Sequence, residues 1–155
     1  PVHSEVFVLH HVLLILHLLG ASVWVGGHIV LVRIVLPQAL HERSPERLLK
    51  FERAFGRIGS AAMLIQFITG VLLAHQALGG WQNLFRHSAP AAPFILAKLI
   101  LLAATIAFAL DANYRIFPKL DQARMKSFAF HAWATTILAI LMLIVGASIR
   151  LGSLF

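Results

Sequence analysis

Along this chain the charged side chains fall in short bursts and leave four long apolar windows between them. Val6 to Val32 contains no Lys, Arg, Asp or Glu, and neither does Ile58 to Phe85. Ala89 to Leu110 is broken only by Lys98, and Ser127 to Ile149 by nothing. A helix of about 20 residues crosses the hydrocarbon core of a bilayer, so each window is long enough. A helix is the expected form, because backbone groups in lipid must pair within their own segment. The pattern predicts an all-α integral membrane protein, an antiparallel four-helix bundle. Its spans fall at about residues 6–36, 57–78, 92–116 and 127–150 of a single transmembrane domain, 1–155.

Punctuation places the ends. Pro37 is expected to end the first helix, since proline cannot continue the hydrogen-bond ladder. Ser44-Pro45-Glu46 reads as a helix start with Ser44 as N-cap. Leu48, Leu49, Phe51 and Phe55 alternate with Arg47, Lys50, Glu52 and Arg53, which predicts an amphipathic interfacial stretch running into the second helix. Gly79-Gly80 closes that helix, Pro90 and Pro93 open the third, and Phe117-Pro118 closes it. No linker, internal repeat or second domain is visible. The first window lacks a basic leader and is too long for a cleavable signal peptide.

Composition sharpens the class. Hydrophobic types make up 59% of the 155 residues and charged types 12%, too little polar surface for a soluble globule. With no cysteine, disulfides, thiolate metal sites and cysteine nucleophiles are excluded. The formal charge of +7 could suggest nucleic acid, but its placement argues otherwise. Arg33, Arg43, Arg47, Lys50, Arg53 and Arg57 lie between the first two segments, and Arg115, Lys119, Arg124 and Lys126 between the last two. Only Arg86 and Arg150 fall at the other side. The positive-inside rule makes both basic loops cytoplasmic and both termini outside. The lipid bilayer is the partner this implies, with no nucleic acid. Oligomeric state leaves no mark in the pattern.

Nine histidines are the anomaly. His10, His11, His17, His28, His75 and His131 fall within spans, where an ionisable residue is a functional candidate by default. At about 100° per residue, His10, His17 and His28 share one face within ~20° steps, while His11 is turned ~100° away. Depth along the helices suggests an outer cluster of His10, His17, His75 and Lys98 and an inner pair of His28 and His131. His3, His41 and His87 fall in tails or loops.

Imidazoles facing each other across a bundle suit b-type haem. The expectation is one or two bis-histidine haems, with iron ligands His17 and His75 outside and His28 and His131 inside. His10 substitutes at the outer site, and Lys98 either snorkels or meets a haem propionate. Such a cytochrome b would carry electrons at or across the membrane, with a quinone or redox protein as partner. If the chain is an enzyme, it is a membrane oxidoreductase; no catalytic constellation is identifiable. Gly20, Gly26, Gly27 and Gly70 either admit a flat macrocycle or pack helices closely. Copper is the alternative guest, since imidazole and thioether both bind it. Its donors would be His10, His17, His28 and His75, with Met63 or Met142. Asp111 and Arg115, spaced i,i+4, are expected to pair.

The run Leu16-His17-Leu18-Leu19-Gly20-Ala21-Ser22-Val23-Trp24-Val25-Gly26-Gly27, followed by Leu36-Pro37, resembles the first helix of the copper-resistance protein D (CopD) domain. Phe51-Glu52-Arg53 leading to Thr69-Gly70-Val71-Leu72-Leu73-Ala74 resembles its second helix, and Leu96-Ala97-Lys98-Leu99 its third. The resemblance implies copper uptake or tolerance at the bacterial inner membrane. The chain departs from that pattern in being richer in histidine, at His28, His75 and His131. More distantly it resembles the HemJ-type protoporphyrinogen oxidases, four-helix haem proteins with a His on the first helix and a Lys on the third; His17 and Lys98 match those positions. That resemblance implies porphyrinogen oxidation.

Overall fold

The computed structural model describes residues 2–86 and 89–151. His87 and the side chains of His3 and Arg150 lie outside the described residues. The described chain is helical, and four of its helical stretches are long and apolar enough to cross a membrane. We label them α1 (2–42), α2 (Pro45–Leu78), α3 (92–119) and α4 (Met125–Leu151).

Pro37 does not end α1. The α-helix Val2–Val30 widens into one π turn, Leu31–Val35, and resumes as Leu36–Glu42 with Pro37 in its first turn. Proline removes an N–H and crowds the carbonyl four residues back. In the wide turn the amide of Leu36, just before the proline, bonds Leu31 O five residues back. The ladder has changed register by the time the ring arrives, so the helix continues. α3 uses the same arrangement: Ala112–Ile116 is a π turn, Phe117 N–H bonds Ala112 O, and Pro118 follows in a short 3-10 turn.

The amphipathic stretch runs into the second helix, as expected. It forms the first turns of a continuous α2 beginning at Pro45, and Leu48 is fully buried. Ser44 is the N-cap residue by position, although its side chain makes no cap bond. Arg43 takes the left-handed conformation, φ 51°, in the tight link from α1 to α2. Gly79 closes α2 in the same conformation, and the amides of Gly79 and Gly80 reach back to Gln76 O and His75 O, as a glycine C-cap requires. Pro93 opens α3 as expected.

Neighbours run antiparallel. His10 and His17 of α1 meet Gln76 and Thr69 of α2, and Thr105 and Asp111 of α3 meet Met142 and His131 of α4. α1 also packs on α4, whereas α2 and α3 meet at the end away from the basic loops, where Leu78 packs with Ala92 and Ile95. The main apolar core lies at the end carrying the basic loops, called the basic end below. Leu31, Val32, Leu36, Ala39, Leu48, Ile116, Met125 and Phe128 meet there. Most other large apolar side chains are exposed on the surface of the bundle, as expected where lipid is the solvent.

Candidate functional site

Above that core, all four helices wall a cavity of about 760 Å³. α1 contributes Trp24, Gly27 and His28; α2 contributes Phe51, Glu52, Phe55 and Met63; α3 contributes Phe108 and Asn113; α4 contributes His131 and Thr135.

His28 is fixed one turn along α1 from its own hydrogen-bond partner. Its Nδ1 lies 2.9 Å from Trp24 O. A carbonyl oxygen only accepts, so Nδ1 donates. In the neutral ring this leaves the Nε2 lone pair for a ligand. Trp24 lies against it with the rings tilted by 49° and centroids 4.4 Å apart, and Phe55 stands edge-on at 6.3 Å. His131 also donates Nδ1 to the carbonyl one turn back, Ser127 O at 2.9 Å. Its Nε2 is engaged too, 2.8 Å from Asp111 Oδ2. Asp111 in turn pairs with Arg115 at 3.2 Å, the i,i+4 pair the spacing predicts.

Glu52 lines the same cavity, half-buried, and no described residue gives it a hydrogen bond or an ion pair. Neighbouring Arg53 lines the cavity as well, but its Nε donates to Leu49 O at 3.3 Å. Met63 completes the wall farther from the basic end. Met142, the other thioether considered, sits 3.9 Å from the Thr105 hydroxyl, packed between α3 and α4.

The other candidates are spread along the opposite half. His17 is half-buried, with Nδ1 2.9 Å from the Thr69 hydroxyl and its ring over Gly70. His10 is 2.7 Å from Gln76 Oε1. His75 is exposed and packs near Trp81, ring centroids 6.0 Å apart. Lys98 lies half-buried with its amine over Gly146 of α4. The structure therefore brings His28 and His131 to one cavity and shows no contact between His17 and His75. His11, turned outward as its angle predicts, is exposed. Among the described residues no three His, Asp or Glu side chains converge as a metal-binding group.

The glycines pack. A Cβ at Gly20 would stand 2.7 Å from Gln66 Cγ and 3.0 Å from Ala62 O; one at Gly27 would fall on the Phe55 ring. Gly26 faces open space.

Two residues escaped the sequence reading. Asp111 was legible as the partner of Arg115 but not of His131, twenty positions away across a turn. Glu52 looked like one charge of an interfacial stretch. Once α2 begins at Pro45, Glu52 is two turns inside a spanning helix, and the eleven-residue spacing to Met63 puts both on one face within about 20°.

The sequence profile of the family described as Copper resistance protein D matches residues 49–151. The match takes in α2, α3 and α4; the run Leu16 to Gly27 on α1, which carries the first-helix resemblance, lies outside it. No curated protein and no solved structure matches the chain, so nothing in these comparisons points to the HemJ-type proteins. The matched region spans well over half of a four-helix membrane chain, and the chain belongs to the Copper resistance protein D (CopD) family.

Proposed function

We propose that this protein handles copper at a bacterial inner membrane, as a route or a holding site for the ion in uptake or tolerance. The family match over residues 49–151 carries this reading. The basic-end cavity supports it with donors of the right kind: the bare Nε2 of His28 and the thioether of Met63 suit copper, and copper(I) above all. The ion is cargo, and the protein contributes donors and an aromatic-walled cavity. The basic loops support a topology with the basic end in the cytoplasm and both termini outside.

A bis-histidine haem b between His28 and His131, serving electron transfer with a quinone or redox partner, is the second reading. Two imidazoles on the walls of a cavity of about 760 Å³ favour it. The Asp111 bond to His131 Nε2 stands against it, because that nitrogen must be released before it can bind iron. An outer haem on His17 and His75 has less support, with His75 exposed beside Trp81.

Purification from cells replete in both haem and copper separates the two. The copper reading expects bound copper without stoichiometric iron and no Soret absorption. A red protein with stoichiometric iron and a low-spin spectrum would overturn it in favour of haem.

A further inference from the structure

We propose that Met63, His28 and Glu52 form a single-file path for copper(I) along the α2 wall of the cavity, with the Glu52 carboxylate as the last station before the basic loops. The proposal rests on the copper reading and names the route within it.

Spacing excludes a chelate. Met63 and Glu52 lie on one face of α2, and eleven residues at 1.5 Å per residue separate them by about 16 Å. Copper–ligand bonds are near 2 Å, so the two cannot grip one ion. His28 stands between them in height. Gly27 faces Phe55 across the α1–α2 contact, which sets its neighbour His28 against the middle of the Glu52–Met63 interval. The three donors are thus stations in sequence.

Each station has a donor to offer. The His28 Nδ1 proton is committed to Trp24 O, which turns the basic nitrogen outward from the helix backbone. The Glu52 carboxylate has no described partner although it is half-buried in a spanning helix. A carboxylate in that position is costly unless a cation meets it. His131 is held by Asp111 on another wall and takes no part.

The order of donors gives direction to the chemistry. A soft thioether lies farthest from the basic end, imidazole follows, and a hard carboxylate stands nearest that end. Copper(I) prefers soft donors, so it is captured at Met63 and held least tightly at Glu52, where it leaves. Conduction requires sites strong enough to admit an ion and weak enough to release it. Single donors spaced along a cavity meet that requirement better than a three-ligand cage. No redox step is involved; the ion enters and leaves as copper(I).

The test uses the full chain in liposomes loaded with a copper(I)-chelating dye, with copper(I) kept reduced outside. Met63→Leu and Glu52→Gln keep volume, and His28→Gln keeps a polar side chain; His11→Ala is the control. Each path variant is expected to slow dye loading about tenfold, equal to ~1.4 kcal/mol of barrier. Glu52→Asp should restore much of the rate, and His11→Ala should load like the parent. Size-exclusion profile and circular dichroism confirm that each variant is folded. If the parent chain loads no copper, the copper reading fails and the path with it. If the parent loads copper while folded Met63→Leu and Glu52→Gln match its rate, copper takes another route and only the path is overturned.

Discussion

Gly26 and Gly27 are adjacent in sequence, and alanine at the two should act with opposite sign. At Gly26 a Cβ meets nothing within 4 Å. Alanine there removes the conformational freedom of glycine and is expected to stabilise α1 by up to ~1 kcal/mol. At Gly27 the Cβ falls on the Phe55 ring, so the ring must shift. The same edge of the ring also lies against Gly59, where a Cβ would be 2.9 Å from Phe55 Cε1. The ring must leave its rotamer or α1 must move off α2. Overpacking of this kind costs about 1–3 kcal/mol, which outweighs the same propensity gain. Gly27→Ala should therefore be the less stable of the two by roughly 2 kcal/mol. Shortening the ring should relieve it, so Gly27→Ala with Phe55→Leu should show a favourable coupling of about 1 kcal/mol or more in a double-mutant cycle. Unfolding in mixed micelles titrated with denaturing detergent, followed by circular dichroism, reads these differences. Equal stability of Gly26→Ala and Gly27→Ala, or no relief in the double variant, would refute the packing argument. The Phe55 ring also stands edge-on to His28, so a displaced ring would disturb the cavity wall as well.

Two further outcomes follow from the charges. Asp111→Ala should destabilise by about 1–3 kcal/mol by leaving the largely buried His131 Nε2 without its acceptor, whereas Arg115→Ala should cost under ~0.5 kcal/mol, its side chain being 81% exposed. Thermal unfolding of the two variants compares them, and equal losses would mean that the histidine bond carries no weight. Reporter fusions should place residues 43 and 121 in the cytoplasm and both termini outside; cytoplasmic termini would reverse the proposed orientation.

What the sequence makes legible is set by how local the cause is. The spans emerge from windows free of charge, a property of contiguous residues, and the four helices agree with them. The facing of α1 is also local: His10, His17 and His28 are half-buried while His11 is exposed, as the ~100° step requires. The Asp111–Arg115 pair is one helical turn and is found at once. The His131–Asp111 bond spans two helices and a loop, so no periodicity announces it. The status of His28 and His131 differs for the same reason. Both donate Nδ1 to their own helix, but only His131 meets a carboxylate from the neighbouring one. Sequence reading treats them as equals; the structure leaves one with an available nitrogen and the other engaged.

The misreading at Pro37 leads to the geometry of the basic end. A helix stopped there would end at Leu36 and leave Ala39 in a loop. Because the π turn carries the helix past the proline, both are instead buried against Leu48, Ile116, Met125 and Phe128. The matching turn before Pro118 places Ile116 in the same cluster. Leu31 and Phe128 belong both to this cluster and to the cavity wall, so the packed core is the cavity's floor. An ion moving straight down the bundle axis would meet that apolar floor, with no donor to replace its ligands. Glu52 lies only four residues from Leu48 yet turns to the cavity rather than into the core. It offers the ion a donor beside the floor, along α2. The two proline-linked π turns thus shape the route as much as the donors do: they build the apolar floor, and the Glu52 carboxylate, with no described partner, stands beside it.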